Sequence, residues 1–376
     1  MINILIAGDY SPKYRVAQLI EQENYPYILE EAKLLNEKMD YSIVNFESTI
    51  ANKDNKKIEK WGPHLCCSEK SLDAIQYAGF NMVTLANNHF FDYENKGVEN
   101  TLQAIEKRKI DYIGGGRNFN EASKNFYKVI AGKKFAFINC CEHEFSIATN
   151  GHGGCNPLSP IQQYYKIKEA CDYADYVIVI IHGGHEYFQL PSLRMKETYR
   201  FFITAGADAV VNHHQHCFSG YEYYNGKPIV YGLGNFCFDY GNQNKKDSWY
   251  EGYALQLVFD EKNIRIILHP YIQCKENATV HFIKDTTKFN QQLRELNRII
   301  NNDELLVNEV EKYYKESSKQ TSLIFEPFYN GHFNKLFLNK IFPSFLSKKR
   351  RLLALNYVDC ESHLDKLKYA LKIHKK

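Results

Sequence analysis

No apolar run in these 376 residues approaches the roughly 18 needed to span a bilayer, so no membrane-spanning helix is expected. The opening residues, Met1-Ile2-Asn3-Ile4-Leu5-Ile6-Ala7, lack a basic segment and pass directly into a strand-like run. They read as neither signal peptide nor anchor. The ten cysteines form no CxxC pair; Cys66-Cys67 and Cys140-Cys141 are adjacent and the others scattered. This argues against a disulfide framework or a zinc ribbon and for a reducing compartment. The expectation is a cytoplasmic protein. Internal repeats and low-complexity stretches are missing too. With 44% hydrophobic and 24% charged residues, the chain has the composition of a folded protein.

Neither sign of charge dominates the whole, which carries +3, but the charge is unevenly placed. Residues from Gly331 to Lys376 carry +8, leaving −5 on the preceding 330. Phe333, Leu336, Phe337, Ile341, Phe342 and Phe345 precede Lys348-Lys349-Arg350-Arg351. Two readings stay open: peripheral contact with an anionic inner membrane face, or aromatics docked on the main domain beneath a solvated basic cluster. Nucleic acid is not an expected partner, because the body is acidic and no groove-reading motif occurs.

Over the first 240 residues short apolar runs alternate with amphipathic stretches, the pattern of an α/β protein. Strands are expected near Asn3–Ala7, Tyr41–Phe46, Met82–Ala86, Tyr112–Gly114, Phe135–Cys140, Tyr176–His182, Ala209–Asn212 and Ile229–Gly232. Helices should fill Ile28–Glu37, Ser71–Ala78, Lys96–Lys107, Ile161–Cys171 and Ser192–Ala205. A hairpin signature follows between Glu251 and His269, turning at Asp260-Glu261-Lys262-Asn263. Beyond about residue 285 the chain is helix-rich. The expected organisation is a domain over 1–275 and a basic helical region over 276–376.

Open α/β sheets present functional residues at the carboxyl ends of their strands, and here those ends are polar. They read Gly8-Asp9, Asn45-Phe46-Glu47, Asn87-Asn88-His89 with Asp92, His182-Gly183-Gly184-His185-Glu186 and Asn212-His213-His214-Gln215-His216. Five of the 14 histidines fall between His182 and His216. Gathering so many polar groups is costly unless something pairs them. Mixed carboxylate and imidazole donors suit one or two divalent transition metal ions, manganese, zinc or iron, more than calcium or magnesium. A metal pair would activate water and stabilise the attacking and leaving oxygens of a phosphoester.

These segments, with Tyr231-Gly232-Leu233-Gly234-Asn235-Phe236, resemble in order and spacing the bacterial CapA-like proteins of capsule and poly-γ-glutamate synthesis, of the calcineurin-like metallophosphatase group. The resemblance covers roughly residues 1–240. It implies a layered α/β/β/α sandwich with the metal site at the strand ends. It further implies Asp9, Glu47, Asn88, His182, His214 and His216 as metal ligands, Glu47 as a bridge, His89 as the acid toward the leaving group, and Asp92 as the group orienting His89. His185, Glu186, His213 and Asn235 are substrate-binding candidates within the same motifs, and Arg117 is another on account of its charge. The phosphatase pattern Asp-x-His is broken, since Tyr10 and Ser11 follow Asp9. Gly183 and Asn212 also depart from the family's usual tryptophan and glycine.

The function expected is metal-dependent hydrolysis of a phosphoester in capsule or surface-polymer biosynthesis, on a phosphorylated small molecule or an anionic polymer. Two alternatives remain open at this point: a non-hydrolytic component of a polymer synthesis or export complex, and a metal-dependent amide (γ-glutamyl) hydrolase or transferase.

Overall fold

The computed structural model describes all residues except 53, 242–244, 261–262, 327–330, 340, 342, 360–362, 365, 368–370 and 372–376. Phe342 of the tail and the Glu261-Lys262 link of the hairpin lie outside the described residues.

The buried run Ile2–Tyr10 is the axis of an eight-stranded sheet. On one side it pairs in parallel with Tyr41–Phe46, followed by Met82–Thr84 and Asp111–Ile113. On the other it pairs antiparallel with Glu251–Phe259, which turns back as Ile264–Gln273 and ends on Val280–Phe282, while the eighth strand, Asn235–Cys237, pairs in parallel with the last residues of Ile2–Tyr10. Side chains alternate across such a strand. Leu5 and Ala7 join Val16, Ile20, Leu29, Leu72, Ile75, Val98 and Leu102 in one buried cluster, so helices Tyr14–Glu21, Tyr25–Asn36, Lys70–Tyr77 and Glu94–Arg108 cover that face.

The opposite face meets a second sheet, ordered Tyr221–Tyr224, Lys227–Val230, Ala209–His213, Tyr176–His182, Lys133–Cys141, Phe126–Ile130. Its three central strands run parallel. Aromatic contacts join the sheets, Phe135 on Phe259 at 5.0 Å and Tyr41 on Phe137 at 5.8 Å. Helices Pro160–Tyr173 and Leu193–Ala205 cover its outer side. The result is the expected four-layer α/β/β/α sandwich.

The chain divides into two compact units, Met1–Leu306 and Val307–Lys376. The first therefore runs past the expected boundary at 275. Strand Val280–Phe282 completes the first sheet, and helix Thr287–Ile300 packs on the same unit through Phe289, whose ring lies 5.1 Å from Phe218. In the second unit Phe333 meets Phe337 and Phe345, while Lys348-Lys349-Arg350-Arg351 opens helix Lys348–Asp359 and is exposed. No helix among the described residues is long and apolar enough to cross a membrane.

Candidate metal centre

Parallel strands deliver their last residues to one edge, and the expected ligands converge there. Asp9 lies near the end of the first strand, where the register slips against both Asn45 and Asn235. Such a slip re-aims a side chain. A Cβ on Gly8 would fall 1.9 Å from the Gly234 carbonyl, so only glycine lets the 232–235 loop lie against this strand. That approach places Asn235 beside Asp9.

The Asp9 carboxylate is buried and accepts from Asn45 Nδ2 at 2.7 Å and from the His214 backbone N–H at 3.3 Å. His216 Nδ1 lies 3.7 Å and His182 Nδ1 4.0 Å from it. Glu47 is fully buried, and neither of its oxygens finds a hydrogen-bond partner among the described residues. Its Oε1 stands 3.8 Å from His89 Nε2 and 3.8 Å from His216 Nε2. Ligating atoms of Asp9, Glu47 and His216 lie within 4.8 Å of one another. A second convergence adjoins it: His182 Nε2 is 3.1 Å from Asn88 Oδ1 and 3.0 Å from His214 Nδ1.

His214 and His216 both adopt positive φ, +93° and +55°. Gln215 between them is pinned by its amide to the carbonyls of Phe188 and Leu190 at 3.0 and 3.3 Å, so the two imidazoles turn inward together. Backbone strain of this kind is sustained where surrounding contacts over-determine it.

Burial, reinforced by the fields of Asp9, Glu186, Glu144 and Asp92, raises the Glu47 carboxyl well above the usual range. Burial also holds His182 and His216 below the usual histidine value. Neutral imidazoles are the metal-binding form. An orphaned buried carboxylate among neutral imidazoles and a second carboxylate is a donor set that fits a divalent transition metal cation.

His89 donates from Nδ1 to Asp92 Oδ2 at 2.7 Å, the partnership expected for it. Lys60 is an addition to the expected set: its ammonium pairs with Asp92 and lies 3.2 Å from His89 Nδ1, with its side chain 1% exposed. It comes from a polar, lysine-rich loop whose pattern carries no signal of burial. Asn45 is a second addition, although strand alternation puts it on the same face as Glu47. Ser11 stands where the phosphatase pattern has histidine, buried with a hydroxyl that has no hydrogen-bond partner among the described residues, while Tyr10 turns away to donate to the Ser71 carbonyl at 3.0 Å.

The substrate-binding candidates separate. Asn235 accepts from His216 Nδ1 at 2.9 Å and so orients that candidate ligand. Glu186 is exposed and its charge acts on Glu47 and His216, and His185 is half-buried beside Glu142 and Arg194. His213 instead donates from Nε2 to the Ala7 carbonyl at 3.0 Å, tying the two sheets. Arg117 bonds Glu99 and Glu106 and pairs with Glu121, three carboxylates outside the cluster.

Burial pushes His89 down to about 4 despite Asp92. A histidine whose folded value lies below its unfolded value contributes full stability above about 6.5 and loses it as pH falls toward 4. Glu47 acts with the opposite sign, so a variant isolates the histidine's share. In chelator, wild type should lose about 3 kcal/mol more than His89→Asn between pH 7 and 4. Urea unfolding across that range checks this; parallel curves would refute it.

The fold is thus a two-sheet α/β sandwich that carries a carboxylate–imidazole cluster at its strand ends. The chain belongs to the family described as bacterial capsule synthesis protein PGA_cap, whose model matches residues 3–240. It is 31% identical over 263 residues to the capsule biosynthesis protein CapA of Bacillus anthracis, a match covering 68% of this chain and 64% of that protein. It is 31% identical over 260 residues to the PGA biosynthesis protein CapA of Bacillus subtilis, covering 68% of each. Among solved structures, a 5'-nucleotidase precursor from Thermus thermophilus aligns with 9% identity and a TM-score of 0.42 over 86% of this chain and 60% of that one.

Proposed function

We propose that this protein hydrolyses a phosphoester in capsule or surface-polymer biosynthesis, with Asp9, Glu47, Asn88, His182, His214 and His216 holding one or two divalent transition metal ions. The observation that carries the reading is the Glu47 carboxylate, buried without a hydrogen-bond partner among the described residues between His89 and His216. When bound, the metal supplies Lewis acidity and an activated water. The chain's own residues do the rest. Asn45 and the His214 N–H fix Asp9, Asn235 fixes the His216 ring, and Asp92 holds the proton of His89 on Nδ1, leaving Nε2 to face the cluster. Protonated at Nε2 as well, His89 would give that second proton to the leaving group, while the one on Nδ1 stays with Asp92. Burial of the whole set excludes bulk water and strengthens each interaction.

The test combines metal content with turnover of p-nitrophenyl phosphate and its diester. Wild type should carry about one or two transition metal ions per chain, and Asp9→Ala with His182→Ala should lose both metal and at least about 100-fold in rate. Metal-free wild type, or a variant with unchanged turnover, rejects the proposal. One observation favours a second reading, a non-hydrolytic part of a polymer-assembly complex: Ser11 offers a hydroxyl where a histidine ligand would stand. In that case His214→Ala leaves polymer formation intact while truncation after residue 330 abolishes it. An amide bond, such as a γ-glutamyl linkage, would be the substrate if phosphoesters fail while metal is retained.

A further inference from the structure

Beside His216 lies an aromatic corner that the hydrolytic machinery does not use. The rings of Trp249 and Tyr187 are 5.1 and 6.2 Å from the His216 ring and stack on each other at 5.9 Å. Tyr240 meets Trp249 edge-on at 5.2 Å, and Tyr14 continues the row at 6.4 Å. Lys245 extends over these faces, its ammonium 3.7 Å from the Tyr240 ring centre, 4.9 Å from Trp249 and 5.4 Å from Tyr187. The Tyr187 hydroxyl is 3.5 Å away, and the Lys245 backbone N–H is anchored on the Tyr250 hydroxyl at 3.4 Å.

Among the described residues no carboxylate pairs with this ammonium. Lys13, four residues beyond Asp9, is a second ammonium without a carboxylate partner there, set 5.7 Å from the centre of the Tyr14 ring and within the fields of Asp92 and Glu47. Lys60, by contrast, is neutralised by Asp92. Aromatic faces attract a cation, but they do not cancel its charge. Lys245 is thereby held in one place next to the candidate metal centre with its charge still available to an external anion. Tyr187, 43% exposed, also offers stacking surface to a ring-bearing ligand, while Trp249 is buried beneath it.

We propose that Lys245, framed by Tyr187, Tyr240 and Trp249, is a subsite for a second anionic group of the substrate, a phosphate or a carboxylate, distinct from the group hydrolysed at the metal centre. It rests on the hydrolase reading for the identity of that first group. The substrate class it selects is a molecule or polymer unit carrying at least two negative groups.

Trp249 reports on this corner, and the other tryptophan, Trp61, is 79% exposed and replaceable. The metal-stripped full chain with Trp61→Phe is titrated with inorganic pyrophosphate and, separately, with citrate, following tryptophan fluorescence. A saturable change is expected with one or both, pyrophosphate alone identifying phosphate and citrate alone identifying carboxylate. Lys245→Gln should weaken that binding about tenfold or more, and Lys245→Arg should retain it. No saturation with either anion overturns the subsite, as does an unchanged dissociation constant in Lys245→Gln. Preferential binding of tetramethylammonium by Lys245→Gln, with no anion response in wild type, also overturns it and makes the corner a cation box. No turnover enters the measurement, so its failure is distinguishable from failure of the hydrolase reading.

Discussion

Glu47→Gln should abolish binding of the proposed metal and yet make the metal-free chain more stable. The side chain is fully buried, both oxygens lack a hydrogen-bond partner among the described residues, and four other carboxylates act on it. Ionising a group in that position is unfavourable, which is why its proton is held well above the usual range. A carboxyl with a raised folded pKa contributes its stability below the unfolded value of about 4.5 and loses it as pH rises from there. Glutamine keeps the shape and removes the charge. In chelator at pH 7.5, the variant should gain about 1–3 kcal/mol in urea unfolding, with the gain vanishing near pH 4. Metal affinity should drop at least about 100-fold, because the strongest charge-neutralising donor is lost. Loss of stability in the metal-free variant would mean that Glu47 already has a partner and has no need of a cation.

The second large effect is expected at Lys60. Its ammonium and the Asp92 carboxylate are paired with side chains 1% and 0% exposed, and Asp92 also accepts from the Leu65 N–H and His89 at 2.7 Å each. Removing one member of a buried ion pair leaves the other uncompensated, at a cost of about 3–5 kcal/mol. Lys60→Met should therefore destabilise by about that amount. Adding Asp92→Asn should recover much of it, since no net charge then remains buried. A double-mutant cycle by urea unfolding measures the coupling. Additive losses would show that the two side chains do not share the energy the geometry assigns to them.

The strands Tyr41–Phe46 and Tyr176–His182 stand where the apolar runs place them, because a fully buried strand reads as such between polar loops. Helix Tyr14–Glu21 escapes that reading: its two fully buried positions, Val16 and Ile20, give the helical period too little length to register. The same logic divides the site. Asp9, Glu47, Asn88, His182, His214 and His216 are legible because parallel topology gathers strand ends in one place. Lys60 and Lys245 are not, since each arrives from an irregular loop whose sequence does not say where its side chain will be buried. His213 and Arg117 show the converse, chemically apt residues taken up by the Ala7 carbonyl and by three glutamates.

The placement of Ile2–Tyr10 between Tyr41–Phe46 and Glu251–Phe259 bears on how the protein is made. During synthesis the first strand can acquire its parallel neighbours early, but its other edge stays open until a partner some 250 residues later has left the ribosome. Asn235 and Trp249 belong to the same late arrivals. The carboxylates proposed to hold a metal are thus made long before the walls that enclose them, so the enclosed cluster can form only late in synthesis. Pairing across so long a separation is intrinsically slow, so the open edge of the first strand is covered late in the assembly of this sheet.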